Sequence, residues 1–165
     1  NGWFSYRWSQ IFDAGAFAAE ATVVLARQTG NGVQAPYAPP PIEEVCAKIR
    51  EMRPEAVFAP HVETSAGIIL PDDYITAMAA AAHEVGALMV LDCIASGCIW
   101  VDMAATGVDV LISAPQKGWS ASPSGICTSR AAKSLRIALS ISLMARVLPC
   151  FGRSVHSSGA SSTAR

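Results

Sequence analysis

The sequence has 165 residues, of which 52% are apolar and 15% are charged, and its formal net charge is −1. This length suffices for one domain with a hydrophobic core; the near-neutral charge and the lack of an apolar run of membrane-spanning length lead us to expect neither nucleic-acid nor membrane partners. Five cysteines without a CxxC motif or zinc-ligand spacing are typical of reduced thiols, so we expect an intracellular protein, cytoplasmic or organellar.

The first forty residues predict a helix, a strand, a turn and an extended connection. The helix is predicted to run from Ser5, as its N-cap, toward Gly15. Residues 21–26 (ATVVLA) form a short apolar run with β-branched side chains, which predicts a strand. A turn is predicted at residues 29–32 (TGNG), and the prolines of residues 35–41 then favour an extended connection.

Helices and strands alternate in the middle of the sequence. Apolar residues at helical spacing predict two helices: Pro41 to about Met52, and Pro71 to about Val85. Short apolar runs predict buried strands at residues 56–60 (AVFAP), 87–91 (ALMVL) and 108–112 (VDVLI). This alternation indicates βαβ units, so the predicted class is α/β, with a three-layer, doubly wound and mostly parallel sheet.

Polar side chains follow each of these three strands. They are residues 63–65 (ETS), Asp92, and the pair Gln116 and Lys117. Parallel strands end at one edge of a sheet, where α/β proteins bind ligands, so we expect these residues to meet there. A partly desolvated lysine can form an imine and an ionised aspartate can keep a heteroaromatic nitrogen protonated, the roles of lysine and aspartate in pyridoxal phosphate enzymes. An exposed loop lysine and capping side chains are the alternatives.

Four segments together match one enzyme family, in that family's order. They are residues 1–7 (NGWFSYR), 61–67 (HVETSAG), 91–96 (LDCIAS) and 113–118 (SAPQKG). On these segments the chain resembles the class V aminotransferases, which are fold-type I pyridoxal phosphate enzymes, and within them the alanine/serine–glyoxylate aminotransferase-like branch. The resemblance extends over about residues 1–123 and implies an incomplete large domain of that fold.

The resemblance implies pyridoxal 5′-phosphate as the cofactor and assigns roles by position. Lys117 would carry the internal aldimine and then move the proton at the substrate α-carbon. Asp92 would pair with the pyridine nitrogen, while Phe4 and Ile94 would cover the two faces of the ring. The implied reaction is transamination, in which a small amino acid, alanine or serine, passes its amino group to glyoxylate or pyruvate.

Three further residues would contact the cofactor, and the resemblance implies no metal. Ser65, or Thr64 beside it, would reach the ring hydroxyl, and Gln116 would contact the phosphate. The family works as a homodimer with its site near the subunit interface. The full-length protein is therefore expected to be a homodimer whose partners are small amino acids and 2-oxo acids.

The two ends of the sequence depart from the family. The sequence starts at Asn1 rather than at Met, and neither the phosphate-binding loop nor the arginine that holds the substrate carboxylate is recognised, so we expect a fragment. Residues 1–125 are predicted to be a partial cofactor-binding domain. Residues 126–165, which include basic but no acidic residues, are predicted to be an atypical tail, partly helical and then disordered.

Three alternative functions stay open. A lyase or desulfurase can share this fold, but a desulfurase needs a reactive cysteine, and Cys93 is expected to point away from a ligand held by Asp92. A nucleotide-binding domain is the second alternative, although the sequence has neither a G-x-G-x-x-G motif nor a Walker loop. The third is a truncated remnant of an aminotransferase without activity.

Overall fold

A computed structural model describes residues 2–16, 21–122 and 127–130, the last range as backbone only. The helices are α1 (Tyr6–Gly15), α2 (Ile42–Met52), α3 (Asp72–Glu84), α4 (Met103–Thr106) and α5 (Pro115–Gly118). The strands are β1 (Arg27–Gln28), β2 (Tyr37–Ala38), β3 (Ala56–Pro60), β4 (Val62–Glu63), β5 (Ile68–Ile69), β6 (Leu88–Asp92), β7 (Val110–Ser113) and β8 (Cys127–Arg130). Within the described ranges, no helix combines the length and hydropathy that crossing a bilayer requires.

The main sheet contains four strands in the order β3-β6-β7-β8. Strands β3 and β6 pair in parallel with Pro60 opposite Asp92, and β6 and β7 pair in parallel with Asp92 opposite Ile112. Strand β8 runs antiparallel to β7. Each of the three predicted strands is present within two residues of its expected bounds. The predicted α/β class with a mostly parallel sheet is therefore confirmed.

Helices cover both faces of this sheet. Val57 of β3 packs against the main hydrophobic core, to which α3 contributes Ile75. Side chains alternate between the two faces of a strand, so the next residue, Phe58, points to the opposite face. There its ring contacts Trp8 of α1, with ring centroids 4.8 Å apart. The sheet thus lies between α1 on one side and α3 on the other, which gives three layers.

Strand β6 is the most deeply buried element and holds the start of the candidate site. Met89 and Leu91 are fully buried, and they share the core with small and apolar residues of α3. Burial of such side chains is the main source of stability in a domain of this size. Asp92 directly follows Leu91 and ends the strand. The backbone of Asp92 is therefore anchored by the best-packed part of the fold.

The prediction of a strand at residues 21–26 is wrong. The structure has no strand there, and Val23, Val24 and Leu25 are 40–50% exposed. The short strand β1 begins only at Arg27 and pairs with β2. Apolar β-branched residues favour a strand only where a neighbouring strand and a buried face are available, and the described residues offer neither beside this segment.

Part of the predicted tail belongs to the main sheet. Residues 127–130 form β8, which pairs with β7 from Val110 to Ser113. The sheet therefore continues beyond residue 125, although the domain boundary placed there stays a prediction. The helical and disordered parts predicted for the rest of the tail lie outside the described residues.

Candidate active site at the carboxyl edge of the sheet

The carboxyl ends of β3, β6 and β7 lie side by side, as the sequence predicts. Just beyond the strand ends, the amide N–H of His61 donates to the carbonyl oxygen of Asp92 at 2.9 Å. The amide N–H of Cys93 likewise donates to the carbonyl oxygen of Ile112 at 2.7 Å. These bonds tie together the starts of the three loops that carry the candidate residues.

Asp92 is half-buried, and each of its carboxylate oxygens accepts one hydrogen bond. Oδ1 accepts from the amide N–H of Ile94 at 2.9 Å, and Oδ2 accepts from the indole Nε1 of Trp8 at 3.2 Å. Burial raises the pKa of Asp92, and the two hydrogen bonds oppose that effect without cancelling it, so its pKa lies above the ordinary value. The carboxylate is therefore oriented, and a positive charge beside it would stabilise its ionised form.

The turn after Asp92 is held from both ends by His61. The backbone of His61 bonds to Asp92, and its Nδ1 lies 2.7 Å from Oγ of Ser96. Both side chains are buried. Burial lowers the pKa of His61, an effect that the charge of Asp72 only partly offsets, so its imidazole is neutral at physiological pH. His61 thus has a structural role, while Ile94 lies partly buried within the turn.

Glu63 is the residue at this edge that the sequence reasoning left without a role. It is 1% exposed and accepts three hydrogen bonds: from the amide N–H of Phe4 at 2.8 Å, from Ser65 Oγ at 2.6 Å and from the amide N–H of Ala66 at 2.8 Å. A Cβ atom on Gly2 would lie only 1.9 Å from Glu63 Oε2, so the close approach requires glycine. Glu63 therefore docks the segment before α1 onto the loop that follows β4.

Replacing Glu63 by glutamine is expected to lower the free energy of unfolding by about 1–3 kcal/mol at pH 7, because the new NH2 group must face a hydrogen-bond donor in a buried site. The measurement is urea unfolding of the wild type and Glu63→Gln. The control is Glu51→Gln, which removes only one partner of an exposed ion pair with Lys48 and should change little.

The same variant tests a pH dependence. Burial raises the pKa of Glu63. The hydrogen bonds from Ser65, Phe4 and Ala66 together lower it by more than burial raises it, so the pKa is below the ordinary 4.5. The unfolded chain then binds the proton more readily, so Glu63 stabilises the fold above about pH 4.5, and this contribution is lost as pH falls through the folded pKa. The stability difference between wild type and Glu63→Gln should shrink below pH 4.5; a constant difference would contradict this account.

The candidate residues around Glu63 differ in their freedom to contact a ligand. The hydroxyl of Ser65 donates to Glu63 and accepts from the amide N–H of Trp3 at 2.7 Å, so only acceptor capacity is left. Thr64 is exposed and bonds to no described residue. The ring of Phe4 is 56% exposed, while its backbone is fixed by Glu63. The roles of these residues toward a cofactor stay predictions.

Ser5 is at the N-cap position of α1, as the sequence predicts, but its side chain does not cap the helix. Its backbone is helical, with φ −65° and ψ −30°, and its side chain makes no capping hydrogen bond. Its Oγ atom is buried and has no hydrogen-bond partner among the described residues. An N-cap needs a non-helical backbone to turn its side chain toward the first free N–H groups, which explains the difference. The segment is positioned by Glu63 instead.

Lys117 lies in the short helix α5, immediately after β7. Its amide N–H donates to the carbonyl oxygen of Ala114 at 3.0 Å. A Cβ atom on Gly118 would lie 2.7 Å from the carbonyl oxygen of Gly97, so this turn packs closely on the turn that follows Asp92. The side chains of Lys117 and Gln116 are exposed. The expected partial desolvation of Lys117 is therefore not found within the described part of the chain.

Cys93 has the properties of a core residue. It is 6% exposed, and burial raises its pKa to about 11, so its thiol stays protonated at neutral pH. This argues against Cys93 as the reactive thiol of a desulfurase.

In the described ranges, no group of histidine, cysteine and acidic side chains is arranged to hold a metal ion.

Comparison with known proteins identifies one family for this chain. The family model "Aminotransferase class-V" matches residues 8–139. A 2-aminoethylphosphonate–pyruvate transaminase of Burkholderia ambifaria is 34% identical over 110 residues, which cover 64% of this chain and 29% of that protein. The homologue of Burkholderia pseudomallei is likewise 34% identical, over 108 residues. The chain thus spans less than a third of the length of these relatives.

Two solved structures share the fold. The alanine–glyoxylate aminotransferase of Nostoc sp. has a TM-score of 0.59 and 25% identity, and the match covers 79% of this chain and 32% of that one. A PLP-bound putative aminotransferase of Clostridium difficile has a TM-score of 0.56 over 78% of this chain and 34% of that one; at 13% identity it supports the fold alone. The chain belongs to the class-V aminotransferases, a family of fold-type I enzymes that use pyridoxal phosphate.

Proposed function

We propose that this chain supplies Lys117 and Asp92 to an enzyme that transfers an amino group from a small amine donor to pyruvate or glyoxylate. The observation that carries the proposal is the packing of the two turns that bear these residues. β6 and β7 are neighbours in parallel, and the Gly118 backbone lies against that of Gly97. A nucleophilic amine and a carboxylate are thereby held at one edge of the sheet.

The side chains at this edge fit pyridoxal phosphate. Asp92 presents an oriented carboxylate with one unused lone-pair site on each oxygen, and a protonated ring nitrogen beside it would stabilise the ionised form that burial disfavours. The ring of Phe4 is exposed on the segment that Glu63 docks, and Ile94 lies partly buried in the turn after Asp92, so each side chain can offer an apolar face to the cofactor ring. When bound, the cofactor supplies an electron sink for a carbanion at the substrate α-carbon.

The protein side chains then have distinct tasks in the proposed reaction. The amine of Lys117 would hold the cofactor through its aldehyde and would take up and return the proton at the substrate α-carbon. Asp92 would hold the proton on the ring nitrogen, and Phe4 and Ile94 would restrict the ring. Ser65, with Thr64 as its neighbour, would accept a hydrogen bond from the ring hydroxyl, and Gln116 would donate to the phosphate. A homodimer of the full-length protein would complete the site.

The first experiment is to add pyridoxal phosphate to the purified chain, record its absorbance spectrum, reduce with borohydride and map the modified peptide. A covalent adduct on Lys117 is expected. Lys48, which is only partly exposed in an ion pair with Glu51, is the internal comparison and should stay unmodified. A folded protein without an adduct on Lys117 would overturn the proposal.

Two candidates exist for the amino donor of the proposed reaction. Alanine or serine is the donor implied by the sequence motifs, and the Nostoc sp. structure is named an alanine–glyoxylate aminotransferase. The relatives at 34% identity instead favour 2-aminoethylphosphonate with pyruvate as acceptor. Product formation is measured with alanine or serine plus glyoxylate and with 2-aminoethylphosphonate plus pyruvate. Turnover with only one pair decides the donor, and turnover with neither contradicts the proposed reaction for this chain.

A further inference from the structure

We propose that Trp8 is a positioning residue that fixes the plane of the Asp92 carboxylate at the cofactor edge, an inference that rests on the proposed function. The indole Nε1–H donates to Asp92 Oδ2 at 3.2 Å, although the two residues are 84 positions apart in the sequence. The hydrogen bond to Asp92 is the link between Trp8 and the proposed site, so its effect on the reaction is expected to pass through Asp92.

The indole is itself held in place by aromatic packing. Its ring centroid lies 4.8 Å from that of Phe58 on β3 and 6.3 Å from that of Phe12 on α1. The rings of Phe12 and Phe58 lie 5.1 Å apart and close the cluster. Aromatic side chains packed in this way have few accessible rotamers. The N–H direction of Trp8 is therefore set by the contact between α1 and the sheet.

Two donors on two different oxygens restrain a carboxylate more than one donor does. The amide N–H of Ile94 holds only Oδ1, which leaves rotation about the Cβ–Cγ bond of Asp92 free. The bond from Trp8 to Oδ2 removes that freedom and also favours the ionised form. Both effects prepare Asp92 to receive a protonated ring nitrogen before the cofactor arrives.

Trp8→Phe removes the N–H donor and keeps an aromatic ring on Phe58. It is expected to weaken pyridoxal phosphate binding about tenfold, measured as the Kd of the cofactor-free chain by absorbance titration. Trp100→Phe makes the same substitution at a tryptophan that is 80% exposed and is the matched control, for which the Kd should stay within about twofold. Equal losses of affinity in the two variants would overturn the inference.

A double-mutant cycle separates positioning from general destabilisation. In an Asp92→Ala background, Trp8→Phe should have no further effect on the Kd, whereas the same tenfold loss in both backgrounds would overturn the inference. Asp92→Leu, which has a similar size and no acceptor, replaces Asp92→Ala if the alanine variant does not fold. If the Asp92 variants have the wild-type Kd for the cofactor, the proposed function fails. If the Asp92 variants bind more weakly but Trp8→Phe keeps the wild-type Kd, this inference alone fails.

The hydrogen bond can be detected without cofactor. In a ¹⁵N-labelled chain, the indole N–H signal of Trp8 is identified by its loss in Trp8→Phe. It should shift upfield in Asp92→Ala because the charged acceptor is gone, while the indole signals of the other tryptophans should stay in place. An unchanged Trp8 signal would overturn the inference.

Discussion

Replacing Lys117 with alanine is expected to lower the rate of transamination on the order of 10⁴-fold or more, because the variant loses both the amine that binds the cofactor and the base that moves the substrate proton. The side chain is exposed and bonds to no described residue, so the free energy of unfolding should change by less than about 0.5 kcal/mol. The measurement is product formation with the preferred donor, together with thermal unfolding of the same samples.

The control for Lys117→Ala is Lys48→Ala. Lys48 is in helix α2, far along the chain from the residues of the carboxyl edge. Lys48→Ala should keep wild-type turnover and lose only its ion pair with Glu51. Partial rescue of Lys117→Ala by a small added amine would support proton transfer as one of the lysine's tasks. Wild-type turnover in Lys117→Ala would remove Lys117 from the mechanism.

Gly118→Ala is expected to lower the transamination rate about a hundredfold, through a displacement of the neighbouring Lys117 on the order of 1 Å. The added Cβ would meet the carbonyl oxygen of Gly97 at 2.7 Å, its carbonyl carbon at 3.1 Å and its Cα at 3.2 Å. These are backbone atoms, which cannot rotate out of the way as a side chain can. The turn bearing Lys117 must therefore move away from the turn that follows Asp92.

The stability of Gly118→Ala should fall by about 1–3 kcal/mol, as for other overpacked sites. Gly30→Ala is the matched control, because a Cβ there would make only an ordinary 3.7 Å contact with Ala35 in a loop remote from the site. Steady-state kinetics and the rate of adduct formation on Lys117 give the readout. If Gly118→Ala forms the adduct and turns over at wild-type rates, the close packing of the two turns is not what holds the lysine.

The central part of the fold could be predicted from local sequence. Strands β3, β6 and β7 and helices α2 and α3 are found within one or two residues of their expected bounds, because each combines an apolar run or helical spacing with flanking proline or glycine. Their order along the chain, with helices between strands, then requires parallel pairing. Parallel pairing brings the ends of the strands before Asp92 and Lys117 to one edge of the sheet, as the sequence predicts.

Two local predictions failed for a common reason. Residues 21–26 have the composition of a strand but form none, and Ser5 precedes α1 as predicted but makes no capping hydrogen bond. A strand needs a neighbour with free hydrogen-bonding groups, and a cap needs a particular backbone conformation. Both conditions depend on surroundings that the local sequence does not contain.

By itself the sequence determined the α/β class, the strand ends and the family motifs, because these depend on periodicity over a few residues and on residue types at short spacing. Only the tertiary structure decided which groups hold the site together. The bond from Trp8 to Asp92 joins residues 84 apart, and that from Phe4 to Glu63 joins residues 59 apart. Such contacts form when helix α1 packs on the sheet, so their physical cause is three-dimensional packing, for which spacing along the chain carries no signal.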